Sequence, residues 1–208
     1  MSVRRTRSGL TFSRVELRDL AAAWIILSVA FAILMFRWLA QTFGLEAFLG
    51  VVGLSLVTVG VAFMLHELAH KIVAIHFGQI AEFRADYQML VLAVLSAFLG
   101  FLFAAPGAVH HRGRITPRQN GLIALAGPAT NLGLAVLFAP MVLLPGFGGL
   151  IGVMGVWINL FLAAFNMIPY GPLDGKSVIE WNKLVFALVF APSAVLAAIS
   201  TLVVLAVI

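Results

Sequence analysis

Long apolar runs separated by short polar intervals dominate this chain. The first, Leu20 to Phe36, contains no charged side chain and is closed by Asp19 and Arg37, which predicts a helix long enough to cross a bilayer. A second starts at about Ala47 and continues through His66-Glu67-Leu68-Ala69-His70 to about Phe77; its first 19 residues, Ala47 to Leu65, are uncharged. Gln119 to Leu173 supplies 55 residues without a formal charge, enough for two crossings, and Pro140, Pro145, Gly146, Gly148 and Gly149 mark the turn between them. A last run from Leu184 to Ile208 predicts a C-terminal span, kinked or broken early by Pro192.

Tyr87 to Val109 is also uncharged and long enough to span. Arg4, Arg5, Arg7, Arg14 and Arg18 put the N-terminus on the cytoplasmic side, because basic flanks stay inside. The second span then returns to the cytoplasm after His70. If Tyr87 to Val109 crossed, His110, His111, Arg112, Arg114 and Arg118 would fall outside. If it dips in and returns, that loop stays inside, the uncharged Pro145 to Gly149 turn lies outside, and Lys176 and Lys183 lie inside. The expected fold class is therefore an all-α polytopic membrane protein with five transmembrane helices plus a re-entrant hydrophobic hairpin, six helices being the alternative.

Composition agrees: 62% of the residues are hydrophobic and 10% charged, against about a quarter charged in a soluble domain. With no cysteine, thiolate metal sites and disulfides are excluded. The net charge of +5 is scattered at span boundaries without interleaved exposed aromatics, so it reads as a topology signal touching anionic lipid, and nucleic acid is not an expected partner. The first apolar run ends at Arg37 rather than at a small-residue cleavage site, unlike a secretory signal. Residues 1–208 read as a single membrane-embedded domain, with a basic cytoplasmic N-terminal segment at 1–19 and a core at 47–175.

The chemistry is concentrated where the second span meets its polar end. On a helix, His66 and His70 share a face and can offer two imidazole nitrogens to one metal ion, while Glu67 can reach a water bound to it. An ionisable cluster embedded in an apolar helix is costly, which marks it as functional. Two histidines leave a third protein ligand to be found. Asp174 is the best candidate: it ends the uncharged run within Asn166-Met167-Ile168-Pro169-Tyr170-Gly171-Pro172-Leu173-Asp174-Gly175, where prolines and glycines unwind the helix end. His76, His110 and His111 are expected not to be ligands, since boundary and loop histidines are usually solvated. Gly127-Pro128 predicts a kink that lets helices approach closely.

HELAH at His66–His70, the run Asn166 to Gly175 with its NxxPxxxLDG-type pattern, and Ala126-Gly127-Pro128-Ala129-Thr130-Asn131 between them resemble the site-2 proteases, zinc metalloproteases that cut within the membrane. The resemblance covers about Ala47 to Gly175 in the family's order. It implies one zinc ion held by His66, His70 and Asp174, Glu67 as the catalytic glutamate, and Asn166 near the substrate or reaction intermediate. No inserted PDZ-type domain or C-terminal nucleotide-binding pair is expected.

Zinc so held lowers the pKa of its water from ~15.7 toward ~7, Glu67 can take that proton and return it to the leaving amine, and the neutral amide of Asn166 suits an oxyanion. Asn131 could assist or could simply join two helices. A substrate helix must unwind to be cut, and Ile80 to Tyr87 or Phe101 to Ala105 is expected to offer it a strand edge. The expected function is a zinc-dependent intramembrane endopeptidase acting on transmembrane protein substrates in the lipid bilayer. A catalytically idle scaffold for membrane helices and a metal transporter are the alternatives; the intact His66, Glu67, His70 and Asp174 oppose the first, and the almost wholly apolar outer halves of the spans oppose the second.

Overall fold

The computed structural model describes residues 9–39, 44–103 and 105–207. Arg4, Arg5, Arg7 and Ala104 lie outside the described residues, as does the side chain of Arg37. Among the described residues eight α-helices occur in the order α1 (Arg14–Leu39), α2 (Leu45–Ser55), α3 (Val61–His76), α4 (Tyr87–Phe98), α5 (Pro117–Phe138), α6 (Phe147–Asn166), α7 (Asp174–Trp181) and α8 (Lys183–Val207). Two strands, β1 (Ile80–Ala85) and β2 (Gly107–Arg112), pair antiparallel on either side of α4.

Five helical stretches among the described residues are long and apolar enough to cross a membrane: Arg14–Phe36, Leu45–His76, Pro117–Leu143, Gly146–Asn166 and Lys183–Ala206. These are the five expected spans. The second joins α2 to α3 through a π-helical segment, Leu56–Gly60, in which an extra residue per turn offsets the hydrogen-bond ladder. The Trp24 indole N–H of α1 donates to the Leu56 carbonyl there at 3.0 Å. Gly60 makes room for the ring, since a Cβ at that position would lie 1.9 Å from Trp24.

The segment after α3 dips and returns. Its helix α4 has 12 residues, about 18 Å at 1.5 Å per residue, too short for a hydrocarbon layer of about 30 Å. Both of its ends meet at one level: the Asp86 N–H donates to the Pro106 carbonyl at 3.0 Å, and Ala85 stands opposite Gly107 in the sheet. Asp86 caps α4 by accepting from the Met89 N–H. Ala93 and Ala97 of α4 pack on Ala30 and Leu34 of α1, where small side chains allow close approach. No sixth crossing is formed among the described residues.

On α1, Ala23, Leu27, Ala30, Phe31 and Leu34 are buried at helical spacing and face the hairpin and α3. Helix α5 starts with a capping box between Thr116 and Gln119 around Pro117 and runs through the centre, packing on α3, α6 and α7. Helix α8 lies at the periphery, against α6 and α7. Lipid tails are as apolar as leucine, so close packing and interhelical hydrogen bonds hold such a bundle, each of the latter worth ~0.6 kcal/mol.

Candidate metal centre

Helices α3, α5 and α7 supply the site. In α3, the four-residue spacing turns His66 and His70 to one face, and both are buried. Helix α7 begins at Asp174 after the chain leaves α6 at Asn166 and reverses through a turn containing Gly171, whose φ is +59°. Gly175 permits that reversal to pack on itself: a Cβ there would lie 2.0 Å from the Met167 carbonyl oxygen. The prolines and glycines of Asn166 to Gly175 thus return a carboxylate to the histidines.

The side chains converge closely. His70 Nε2 lies 2.9 Å from His66 Nε2, and Asp174 Oδ2 lies 3.3 Å from His66 Nε2 and 3.4 Å from His70 Nε2. The opposite ring nitrogens are committed. His66 Nδ1 faces Asn131 Oδ1 at 2.6 Å, and His70 Nδ1 faces the Ile123 carbonyl at 2.7 Å. Since both partners accept, each imidazole donates from Nδ1 and turns the Nε2 lone pair toward the other ring and the Asp174 carboxylate. Three electron-rich atoms facing one point repel unless a cation lies between them, and these residues form a group able to hold a metal ion. The donor set, two imidazoles and one carboxylate without thiolate, suits zinc with an open fourth position.

Two oxygens support the same fit. Asp174 Oδ2 and Glu67 Oε2 are buried without a hydrogen-bond partner, and each such group costs free energy unless something unseen by the protein alone satisfies it. Glu67 lies beside the group, on a cavity of about 220 Å³ that His66, His70 and Asp174 also line. Helix α5 presses its glycine against the rings: a Cβ on Gly127 would sit 2.5 Å from His66 Nε2 and His70 Nε2. Gly127, expected with Pro128 to let helices approach closely, thus presents a bare backbone where the ring nitrogens of both histidines lie.

Asn166 reaches the same cavity, with its amide nitrogen donating to the Leu162 carbonyl at 3.0 Å. Asn131 does not line this cavity. Its amide donates to Asn159 Oδ1 at 2.9 Å and to the Ala62 carbonyl at 3.4 Å while its oxygen serves His66, so it supports a ligand. His76 and His110 join no metal-holding group among the described residues; His111 stays out of it too, but lines the cavity. Burial and the neighbouring His110 and His70 push its imidazole below the usual histidine value.

The strands meet the cavity unequally. The Phe83 N–H donates to Glu16 at 3.0 Å and the Ala85 N–H to Asp19 at 3.4 Å, so the outer edge of β1 is closed by α1. Glu82 and Arg84 then form the hydrogen-bonded pairs with His110 and Ala108, leaving the backbone groups of Gly107, Val109 and His111 pointing away from β1. All three border the cavity. Sequence reading missed β2 and Asn159; an asparagine in the middle of an uncharged span was the available signal for the second.

Five long apolar helices around a group of two buried histidines and a half-buried aspartate define a membrane-embedded metalloprotein. Over 186 residues, 87% of this chain and 92% of the relative, it is 42% identical to "Putative zinc metalloprotease MJ0611" of Methanocaldococcus jannaschii. It is 36% identical over 145 residues to the similarly named YwhC of Bacillus subtilis, covering 60% of this chain and 66% of that protein. With Rip3 of Mycobacterium tuberculosis the identity is 33% over 127 residues, 57% of this chain and 28% of that protein. No family model and no solved structure matches. The chain belongs to the site-2 protease-like family: it is a membrane metalloprotease, and zinc is its metal.

Proposed function

We propose that the protein is an intramembrane endopeptidase that hydrolyses peptide bonds in or near transmembrane helices of membrane-protein substrates. The observation that carries this is the buried, unpartnered Glu67 carboxylate oxygen beside the His66, His70 and Asp174 group, in a cavity bordered by the outer edge of β2. One zinc ion per chain would be held by His66 Nε2, His70 Nε2 and Asp174 Oδ2. Bound there, zinc supplies Lewis acidity and makes water acidic enough to attack near neutral pH.

The remaining work belongs to the chain. Glu67 takes a proton from the attacking water and returns it to the leaving amine as the C–N bond breaks, so hydrolysis needs no further proton donor. One N–H of the Asn166 amide is held by Leu162; an amide has two, and the second is a neutral donor for the scissile carbonyl oxygen. The substrate must be extended to be cut, and Gly107, Val109 and His111 offer it backbone hydrogen bonds of the kind an added strand makes. On this reading the docking edge is β2, in place of Ile80 to Tyr87, one of the two segments expected from sequence, the other being Phe101 to Ala105; Glu16 and Asp19 already occupy the β1 side.

The basic flanks support a cytoplasmic N-terminus with the site toward the cytoplasmic side, a single domain over 1–208, and a catalytic core over 47–175. The test is purified wild type against Glu67→Gln in detergent, with bound zinc and cleavage of single-span substrates measured together. Zinc in both and chelator-sensitive cleavage by the wild type alone is the expected outcome; cleavage by Glu67→Gln at the wild-type rate would remove Glu67 from the chemistry.

A further inference from the structure

The two imidazoles are held by different kinds of acceptor. His70 Nδ1 meets the backbone carbonyl of Ile123, which can only accept. His66 Nδ1 meets a side-chain amide, Asn131, and an amide turned by half a rotation would present its NH2 instead. With NH2 facing it, His66 would have to keep its proton on Nε2, the nitrogen aimed at His70 and Asp174, and could not bind a metal there. Something must fix which way Asn131 points.

We propose that Asn159 of α6 is that positioning residue and sets the metal-binding form of His66 through Asn131. The polarity of the chain of bonds starts at a group that cannot reverse. The Asn159 amide nitrogen lies 2.8 Å from the Gly155 carbonyl, one helical turn back. A carbonyl accepts only, so NH2 must be at that end and Asn159 Oδ1 at the other. That oxygen lies 2.9 Å from the Asn131 amide nitrogen, which turns Asn131 Oδ1 toward His66 Nδ1 at 2.6 Å. The proton is thereby kept on Nδ1, and Nε2 presents its lone pair. The Ala62 carbonyl of the second span, 3.4 Å from the Asn131 nitrogen, is a longer contact of the same sense.

Asn131 and Asn159 are both fully buried, so water cannot substitute for either partner. Asn159 is not among the residues bordering the site cavity. Its place in the molecule is explained by Asn131, and its effect should pass through Asn131 alone. The inference rests on His66, His70 and Asp174 holding zinc and deepens that assignment by naming what prepares the first ligand.

The experiment measures zinc affinity of the full chain in detergent by chelator competition, in a cycle of wild type, Asn159→Ala, Asn131→Ala and the double variant. Asn159→Leu, which keeps the branched outline of asparagine without its polar atoms, is a second version should the alanine variant fold poorly. Loss of an outer-shell partner of a metal ligand typically costs about 10–100-fold in affinity. The expectation is zinc affinity lower by about tenfold in either Asn159 variant and by at least as much in Asn131→Ala. In the Asn131→Ala background, removing Asn159 should change it by less than about twofold, because residues acting through one another are not additive. A merely structural asparagine would lower affinity equally in both backgrounds, and that result, or wild-type affinity in both Asn159 variants, overturns the proposal. A wild type that binds no zinc, or binds it undiminished in His66→Ala, overturns the metal assignment and the proposal with it.

Discussion

Lys71 and Glu16 form an ion pair in the interior. Lys71 Nζ lies 2.6 Å and 2.5 Å from the two carboxylate oxygens of Glu16, and both residues are at most 2% exposed. Lys71 follows His70 directly, and Glu16 also accepts the Phe83 N–H of β1. One carboxylate thus fastens the metal-bearing helix to the sheet. The Thr11 carbonyl, 2.6 Å from Nζ, and the Phe12 ring, whose centroid is 4.0 Å away, complete the shell around the ammonium. Breaking a buried pair leaves one uncompensated charge, at a cost of about 3–5 kcal/mol, whereas an apolar replacement of both partners is often neutral. Lys71→Met and Glu16→Gln should each lower the midpoint of thermal unfolding in detergent markedly. Lys71→Met combined with Glu16→Leu should recover part of the loss, short of wild type because the Phe83 N–H stays unpaired. Wild-type midpoints in both single variants would show the pair to be dispensable.

Gly127 is the second place where a small change reaches the site. An added methyl would overlap the metal-facing nitrogens of both histidines. Forcing a group into a packed interior typically costs about 1–3 kcal/mol, and here the displaced atoms are the proposed ligands. Gly127→Ala should still insert and fold but copurify with far less zinc than wild type, as measured by elemental analysis. Gly133→Ala, on the same helix with nothing within 4 Å of the added carbon, should retain wild-type zinc.

The spans were legible because a charged side chain is expensive in hydrocarbon, so uncharged runs outline the crossings directly. The fate of Tyr87 to Val109 was legible for a subtler reason: only a segment that returns keeps His110 to Arg118 beside the other basic loops, and α4 does return. His66, Glu67, His70 and Asp174 stood out as ionisable groups at the ends of apolar runs. Asn159 did not, since its partner Asn131 is 28 residues away and its spacing obeys no helical period. Lys71 and Glu16, 55 residues apart, sit on two separate helices, so no local pattern joins them. Strand β2 was hidden because its histidines and arginine read as a basic loop, and because a strand is defined by a partner that the sequence does not name.

His111 should impose a mild acid sensitivity. Burial, then His110 and His70, hold its imidazole below the ordinary value of 6.5, so the folded protein binds that proton less readily than the unfolded chain does. Its contribution to stability is complete above about pH 6.5 and declines as pH falls toward and through the lower folded value. His111→Gln removes this term. The difference in thermal midpoint between variant and wild type, measured from pH 8 to pH 5, should move in favour of the variant as the medium becomes acidic. A difference independent of pH would show that His111 titrates alike folded and unfolded.

Val109 tests the docking edge through its backbone N–H, which lies against the Glu67 carboxylate as well as the cavity. Its N–H points away from β1, because Glu82 with His110 and Arg84 with Ala108 carry the ladder on the inner side. Proline at 109 therefore removes an outward donor and leaves the β1–β2 hydrogen bonds in place, whereas proline at 108 removes an inner one. If a substrate is cut as a strand added to β2, Val109→Pro should bind zinc like wild type, unfold at a similar temperature, and cleave single-span substrates at least about tenfold more slowly, the equivalent of one lost hydrogen bond of about 1.4 kcal/mol in the bound state. Ala108→Pro should lose thermal stability as well. Undiminished cleavage by Val109→Pro would leave β2 as a wall of the cavity and move substrate docking to another element.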